Sequence, residues 1–336
     1  MATIVRRRDE RYLKIPVSSA KETTTNRFDT FMSIHCSIII PHRNTPALLK
    51  RCLDSIPPRE DIQIIVVDDA SDDTVRIREF AESYAHAKFI YQKEHKGAGH
   101  ARNIGVAHSE GQWILFADAD DFFFEGFDKQ IDRYLSSDAD IVFFDVAYRY
   151  SDNLQPAPPR YPLISESIHR DDIEMLKWRV SVVWGKLYSG ELIRANHIMF
   201  DETIINNDVI FAFKASFYAE NCLISPFILY CNTLCLNSLQ FTLNKTRLDC
   251  SYSVHLHLNR LLHSIGKGKY QYNLFRIVLK YWNWFGFKAY ISVFCKKYLP
   301  DTTMSMKAKD FILSCRQISA FLSKDEKEKR SKIKTI

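Results

Sequence analysis

Trp113-Ile114-Leu115-Phe116-Ala117 is an apolar run of strand length that ends on Asp118-Ala119-Asp120-Asp121. A buried strand that ends this way puts negative charge at the carboxyl edge of a sheet, where open α/β folds bind ligands. Carboxylates this crowded repel one another unless a cation lies among them. A hard divalent ion with oxygen ligands, Mg2+ or Mn2+, suits the site and brings phosphates with it.

The segments before this point alternate. Cys36 to Ile40 reads as a buried strand ending at Pro41, and Thr45-Pro46 opens a helix bearing Leu48, Leu49, Cys52, Leu53 and Ile56. Ile62 to Val67 is a second strand, ending in Asp68-Asp69, and Ser71-Asp72-Asp73 caps a second helix. Lys88 to Gln92 is a third strand, Lys96 to Gly99 a turn, and Ala101 to His108 a short helix. Alternation of this kind predicts a mostly parallel, doubly wound α/β sheet flanked by helices.

Later segments are less regular. A helix to about Leu135, a strand at Ile141 to Phe144 and a proline-rich loop over 151–163 follow. The loop reads as a mobile or acceptor-contacting insertion. Ile173 to Val183 and Ser189 to Asn196 read as helices, with Trp184 to Tyr188 extended between them. A further helix follows Asp208, and helices are expected over 250–266, 271–298 and 304–323. The expected organisation is a flexible arm (1–33), a catalytic α/β domain (34–235), a helical C-terminal region (236–323) and a basic tail (324–336).

Composition narrows the function classes. With 336 residues, 46% of them hydrophobic, the chain can bury a sizeable core. The net charge of +6 is mild. Zinc-finger spacing, RNP-type aromatics and a long basic stripe are all missing, so nucleic acid is not an expected partner. The eight cysteines are scattered without a Cys-x-x-Cys pair, and residues 1–31 hold no secretory apolar core. Reduced thiols in the cytoplasm are the expectation. Residues 271–298 interleave Trp and Tyr with Lys and Arg, which suits packing on the domain or on another subunit, or peripheral contact with a membrane surface. Oligomeric state stays open.

Four features share one sheet edge in a doubly wound arrangement: Pro41-His42-Arg43-Asn44, Asp68-Asp69-Ala70-Ser71, Gly97 to Gly105, and Asp118 to Asp121. A nucleotide fits their chemistry. Asp69 can accept from a base N–H, and Asp118 or Asp120 can hold ribose hydroxyls. Asp120 with Asp121 can bind a metal on a diphosphate. Arg102 and the helix-start amides around Asn103 add positive potential.

Ser37 to Pro41, Ile65 to Asp72, Ala101 to Gly105 and Phe116 to Asp121, in that order, resemble the family 2 glycosyltransferases of GT-A, Rossmann-like fold, over roughly residues 35–230. The resemblance implies inverting, metal-dependent transfer of a sugar from a nucleotide-diphosphate donor, commonly UDP-linked, with Mg2+ or Mn2+. Donor contacts would fall on Pro41, Arg43, Asn44, Asp69, Arg102, Asn103, Asp118, Ala119 and Asp120, and the metal on Asp120 and Asp121. Trp184 and Lys186 match a stretch beside the acceptor-side loop of bacterial surface-polysaccharide members. The acceptor would be a glycan or lipid-linked hydroxyl at the inner face of the plasma membrane. The likeness makes Asp208 the base, with Asn207 where Glu is common. Ala70 replaces a usual glycine, and His42-Arg43 an unlike pair, which bears on donor identity.

Bland readings stand beside these. Asp208 can be a helix N-cap alone, and Trp184 a core residue. Two rival functions are a catalytically silent nucleotide-sugar binding protein, suggested by Asn207, and a nucleotidyltransferase. The latter is disfavoured because Pro41 to Pro46 holds no glycine.

Overall fold

The structure is a computed structural model that describes residues 34–235, 244–298 and 307. The expected arm (1–33), the tail (324–336) and, apart from residue 307, the helix expected over 304–323 lie outside the described residues.

The chain begins with β1 (Cys36–His42), α1 (Pro46–Asp54), β2 (Ile62–Asp68), α2 (Thr74–Glu82), β3 (Ala87–Tyr91), α3 (Ala98–Ala107) and β4 (Trp113–Phe116). These four strands pair in parallel in the order β3-β2-β1-β4. β1 and β4 are buried at every residue, as their near-continuous apolar sequences require of strands covered on both faces. β3 is the edge and is only half-buried. The winding reverses between β1 and β4. That reversal opens a crevice beyond the carboxyl ends of the strands, and Asp118 to Asp121 lie there.

The second half is mixed. It comprises β5 (Phe122–Phe123), α4 (Phe127–Asp132), β6 (Ile141–Tyr150), α5 (Pro162–His169), α6 (Ile173–Arg179), β7 (Lys186–Ser189), α7 (Gly190–Ala195), α8 (Val209–Tyr218) and β8 (Cys222–Leu234). The full order is β3-β2-β1-β4-β7-β6-β8-β5. β7 runs antiparallel to both β4 and β6, and β5 antiparallel to β8. The parallel pairing of β6 with β8 slips in register around Asp145, opposite the stretch that holds Pro226. A proline gives the ladder no N–H, so a bulge there is expected.

The proline-rich stretch after β6 is tied back to it. Tyr150 donates its N–H to the Gln155 carbonyl, and Ala157 to that of Tyr148, at 2.9 Å each. α5 then starts with Pro162 at its first turn.

The C-terminal region comprises α9 (Lys245–Ser264), a tight turn at Gly268–Tyr270, α10 (Leu274–Val293) and a wide turn at Phe294–Tyr298. α9 starts earlier than the apolar spacing indicates, because the Asn244 side chain accepts from the Arg247 N–H and caps it. Leu258 and Leu262 join Trp178, Val209 and Phe213 in one apolar cluster. Tyr252 and Leu256 join Val278 and Tyr281 in another. α10 breaks at Gly286, whose φ of 80° lies in the region open to glycine.

α3 lies unusually close to β1. A Cβ on Gly105 would stand 2.3 Å from the Ile39 methyl Cγ2, and Ile39 is fully buried. Gly105→Ala is therefore expected to destabilise the fold by about 1–3 kcal/mol through overpacking, read as a lower midpoint in urea unfolding. A midpoint equal to wild type would show that α3 can move off the sheet at no cost.

Candidate active site

The three acidic side chains after β4 each bring a carboxylate oxygen within 4.8 Å of the others. Asp121 is buried, and its partners all come from β8. It accepts from Tyr230 Oη at 2.9 Å, Asn232 Nδ2 at 2.9 Å and the Thr233 N–H at 2.6 Å. Tyr230 Oη in turn accepts the Asp118 N–H at 2.8 Å. The Asp120 carbonyl accepts from Thr233 Oγ1 at 2.6 Å and from the Arg51 guanidinium. Arg51 also donates to the Ser151 carbonyl at 2.9 Å. One arginine thus ties α1, the acidic turn and the ends of β6 and β8.

The cluster carries an electrostatic cost. Burial and then the Asp118 charge push Asp120 up to about 6, while Arg51 and Arg160 pull it back. Burial, Asp120 and Asp118 hold Asp121 well above the carboxylate range. Hard oxygen donors whose charges repel at close range suit a divalent cation. Asp118 belongs to this set together with the expected Asp120 and Asp121. Asp118 and Asp120 are the more exposed pair.

Across the crevice, the loops after β1 and β2 brace each other. His42 and Asp68 are buried and 2.8 Å apart, and His42 Nε2 accepts the Thr45 N–H at 3.2 Å. Nδ1 is therefore the protonated nitrogen that donates to Asp68. Burial raises the Asp68 carboxyl, but bonds from His42 and Ser71 outweigh it and hold it low. Asn44 Nδ2 donates to Asp72, and the Asp72 N–H donates to Asn44 Oδ1, both at 2.8 Å. Arg43 reaches the Ala70 carbonyl and Asp72 at 3.4 Å. Asn44 and Ala70 both sit at positive φ, 57° and 55°. Pro41 lies in β1 beside Val67. Asp69 accepts from the Lys96 and Gly97 N–H groups at 2.8 Å and lies 2.7 Å from His95 Nδ1.

Arg102, on α3, joins the acidic turn to the loop before α8. It donates to Asp118 Oδ1 at 2.5 Å and to Asn207 Oδ1 at 2.8 Å. Asp208 stands at the N-cap of α8, yet its side chain accepts no capping bond. Burial raises its carboxyl, Arg102 pulls it down, and Asp118 adds to the rise. Gly99 permits close approach here, since a Cβ on it would meet the Asp201 carbonyl at 2.2 Å.

Three expected positions serve the scaffold. Asn103 spends both ends of its amide on the backbone of Phe200, at 3.0 and 2.8 Å. Trp184 is buried and stacks on Tyr230 at 5.5 Å. Lys186 is 2% exposed and donates to the Val180 carbonyl at 2.7 Å. Neither Trp184 nor Lys186 is a surface group on an acceptor face. Both are buried side chains: Lys186 opens the interior strand β7, and Trp184, just before it, is held against Tyr230 of β8. Arg51, Tyr230, Asn232 and Thr233 carry no motif signal. Arg51 lies on α1, and the other three lie on β8, whose proline interrupts the strand pattern.

Residues 37–191 match the family described as Glycosyl transferase family 2. The chain is 27% identical over 197 residues to the putative glycosyltransferase EpsH of Bacillus subtilis, covering 55% of this chain and 56% of EpsH. It is 30% identical over 182 residues to the uncharacterized glycosyltransferase EpsJ of the same organism, covering 50% and 52%. The chain thus spans just over half the length of these relatives. Its fold resembles that of S. aureus TarS 1-349 in complex with UDP-GlcNAc, with a TM-score of 0.56, 19% identity and coverage of 82% and 78%. It also resembles the mannosyltransferase PcManGT from Pyrobaculum calidifontis in complex with GDP-Man and Mn2+, at 0.51, 15%, 83% and 84%.

Burial pushes the Lys186 ammonium down to about 7, against a smaller opposing pull from Asp208. The unfolded chain keeps that proton up to the ordinary lysine range, near 10.4. Stability contributed through this group therefore rises with pH above about 7. Lys186→Met should flatten the rise relative to wild type in urea titrations from neutral to alkaline pH. Parallel curves for the two proteins would mean that Lys186 stays charged in the fold.

Proposed function

Residues 37–191 match glycosyl transferase family 2, and from that match we propose that the chain moves a sugar, with inversion, from a nucleotide-diphosphate donor to an acceptor hydroxyl. The donor is UDP-linked. The acceptor is a glycan or lipid-linked sugar of surface-polysaccharide synthesis, met at the cytoplasmic face of the plasma membrane. The observation that carries this reading is the Arg102 bridge. It holds the acidic turn at the β1/β4 crevice against the loop bearing Asp208, whose carboxylate is unspent in the helix cap.

The base and ribose lie along Asp69, Pro41, Arg43, Asn44 and the Asp118-Ala119-Asp120 turn. Asp118, Asp120 and Asp121 would hold Mg2+ or Mn2+, which supplies positive charge for the leaving diphosphate. Asp208 accepts the proton of the acceptor hydroxyl as its oxygen bonds to the anomeric carbon and the bond to the diphosphate breaks on the opposite face. One displacement of this kind inverts the centre and needs no covalent nucleophile. A carboxyl raised by burial is better matched to that task than an ordinary aspartate.

Asp208→Asn should lower turnover at least ~100-fold while leaving Mn2+-dependent thermal stabilisation by the donor intact. Loss of both would make Asp208 a binding residue. Release of pyrophosphate from nucleoside triphosphates would favour a nucleotidyltransferase. A wild type that releases no nucleoside diphosphate with any donor and acceptor would favour a silent binding protein.

A second expectation concerns pH. The acid limb of kcat/KM should lie above the ordinary carboxylate range, because the Asp208 carboxyl is raised. Arg102 stabilises the ionised form, so Arg102→Met should move that limb to higher pH. A limb that stays in place would show that another group sets it.

A further inference from the structure

α10 carries one buried and one open side. Leu274, Val278, Tyr281 and Val293 are packed against α9. Trp282 is 50% exposed, Phe285 39%, Phe287 58% and Ile291 37%. These four apolar residues flank the break at Gly286, where φ of 80° and ψ of 176° interrupt the helix. Trp282 lies 5.7 Å from the Phe287 ring and 5.3 Å from that of Tyr290, so the aromatics form one patch across the break. The charge around it has one sign. From Asn273 to Tyr298 the sequence holds five basic residues and no Asp or Glu. Arg276, Lys280, Lys288 and Lys296 are exposed, while Lys297 is tied to Asp249 at 2.8 Å.

Exposed tryptophan and phenylalanine amid lysine and arginine, with no Asp or Glu between Asn273 and Tyr298, match the boundary of an anionic bilayer. There aromatic rings enter the headgroup region and cations stay outside. No described helix is long and apolar enough to cross a membrane. We infer that the broken-helix corner at Gly286, led by Trp282, Phe285 and Phe287, is a docking surface that seats this protein on anionic lipid without spanning it. The break matters because a continuous helix would carry residues 285 and 287 about 200° apart. The non-helical residue between them lets both rings be exposed at one corner. The inference is independent of the transferase reading, since it needs neither donor nor acceptor.

The test is co-sedimentation of the full chain with vesicles of phosphatidylcholine plus phosphatidylglycerol, and with phosphatidylcholine alone. The expected result is binding to the anionic vesicles that weakens in high salt. Trp282→Ser/Phe287→Ser should weaken it by about tenfold or more, with an unchanged melting midpoint and unchanged far-ultraviolet circular dichroism. Lys280→Gln/Lys288→Gln, which keeps the rings, should also weaken binding, and less so in high salt. Failure of wild type to bind anionic vesicles would overturn the inference, and would point to coverage of the patch by another part of the chain. Equal binding by the aromatic double variant would overturn it too. So would light scattering in which that variant turns a dimer into a monomer while lipid binding persists, because the face would then serve a second copy of this chain.

Discussion

A single buried guanidinium holds this site together. Arg102 needs anionic or polar partners because it is almost wholly removed from water, and a buried cation left alone is costly. Asp118 needs a cation because two more carboxylates follow it. Each resolves the other's cost, and the second arm of the guanidinium then reaches Asn207. That reach couples segments from the first and second halves of the sheet. The Phe200 ring lies under the guanidinium at 5.4 Å and stacks on Phe211 of α8 at 3.9 Å. The polar link is therefore mounted on aromatic packing, which limits its freedom to open.

The sheet explains why the acids stay where they are. A parallel half alone would leave Asp118 to Asp121 at a free edge of loops. Inserting β7 antiparallel beside β4 and running β8 along β6 brings Tyr230, Asn232 and Thr233 beneath the acidic turn. Three donors to one carboxylate give Asp121 the character of an anchor, and Asp118 and Asp120 keep the more exposed oxygens. Arg51 performs the matching task from the other side by holding the Asp120 carbonyl. The position of the acidic turn is thus set by backbone and β8 contacts as much as by its own sequence.

Much of this was legible from the residues alone, for a physical reason. Strands β1, β2 and β4 are buried on both faces, so their sequences are apolar but for Ser37 and Gln63 up to the marks at Pro41, Asp68 and Asp118. The four loops that follow sheet strands fall on one edge by topology alone. The second half lacks these marks. β8 was not readable as a strand because Pro226 interrupts it and its outer residues are half-exposed. With β8 unread, Tyr230, Asn232 and Thr233 had no reason to be placed near the acids. Trp184 and Lys186 were expected at the acceptor side because an extended stretch by itself does not reveal its neighbours. Between β4 and β6 that stretch is interior. Arg51 resembled an ordinary basic residue in the last turn of a helix, and only the tertiary fold brings it 69 residues along to Asp120.

Asn207 bears most directly on whether the site can work. A glutamate there would set a second carboxylate on Arg102, beside Asp118, and a third acid next to Asp208. The guanidinium charge would then be shared among more anions, and Asp208 would feel added repulsion, which disfavours its ionised form. Asparagine accepts the same 2.8 Å bond while adding no charge. Arg102 thereby keeps Asp118 as its one ion-pair partner among the described residues and leaves a larger share of its field for Asp208. Asparagine therefore preserves the geometry of the bridge and eases ionisation of Asp208, the base of the proposed reaction.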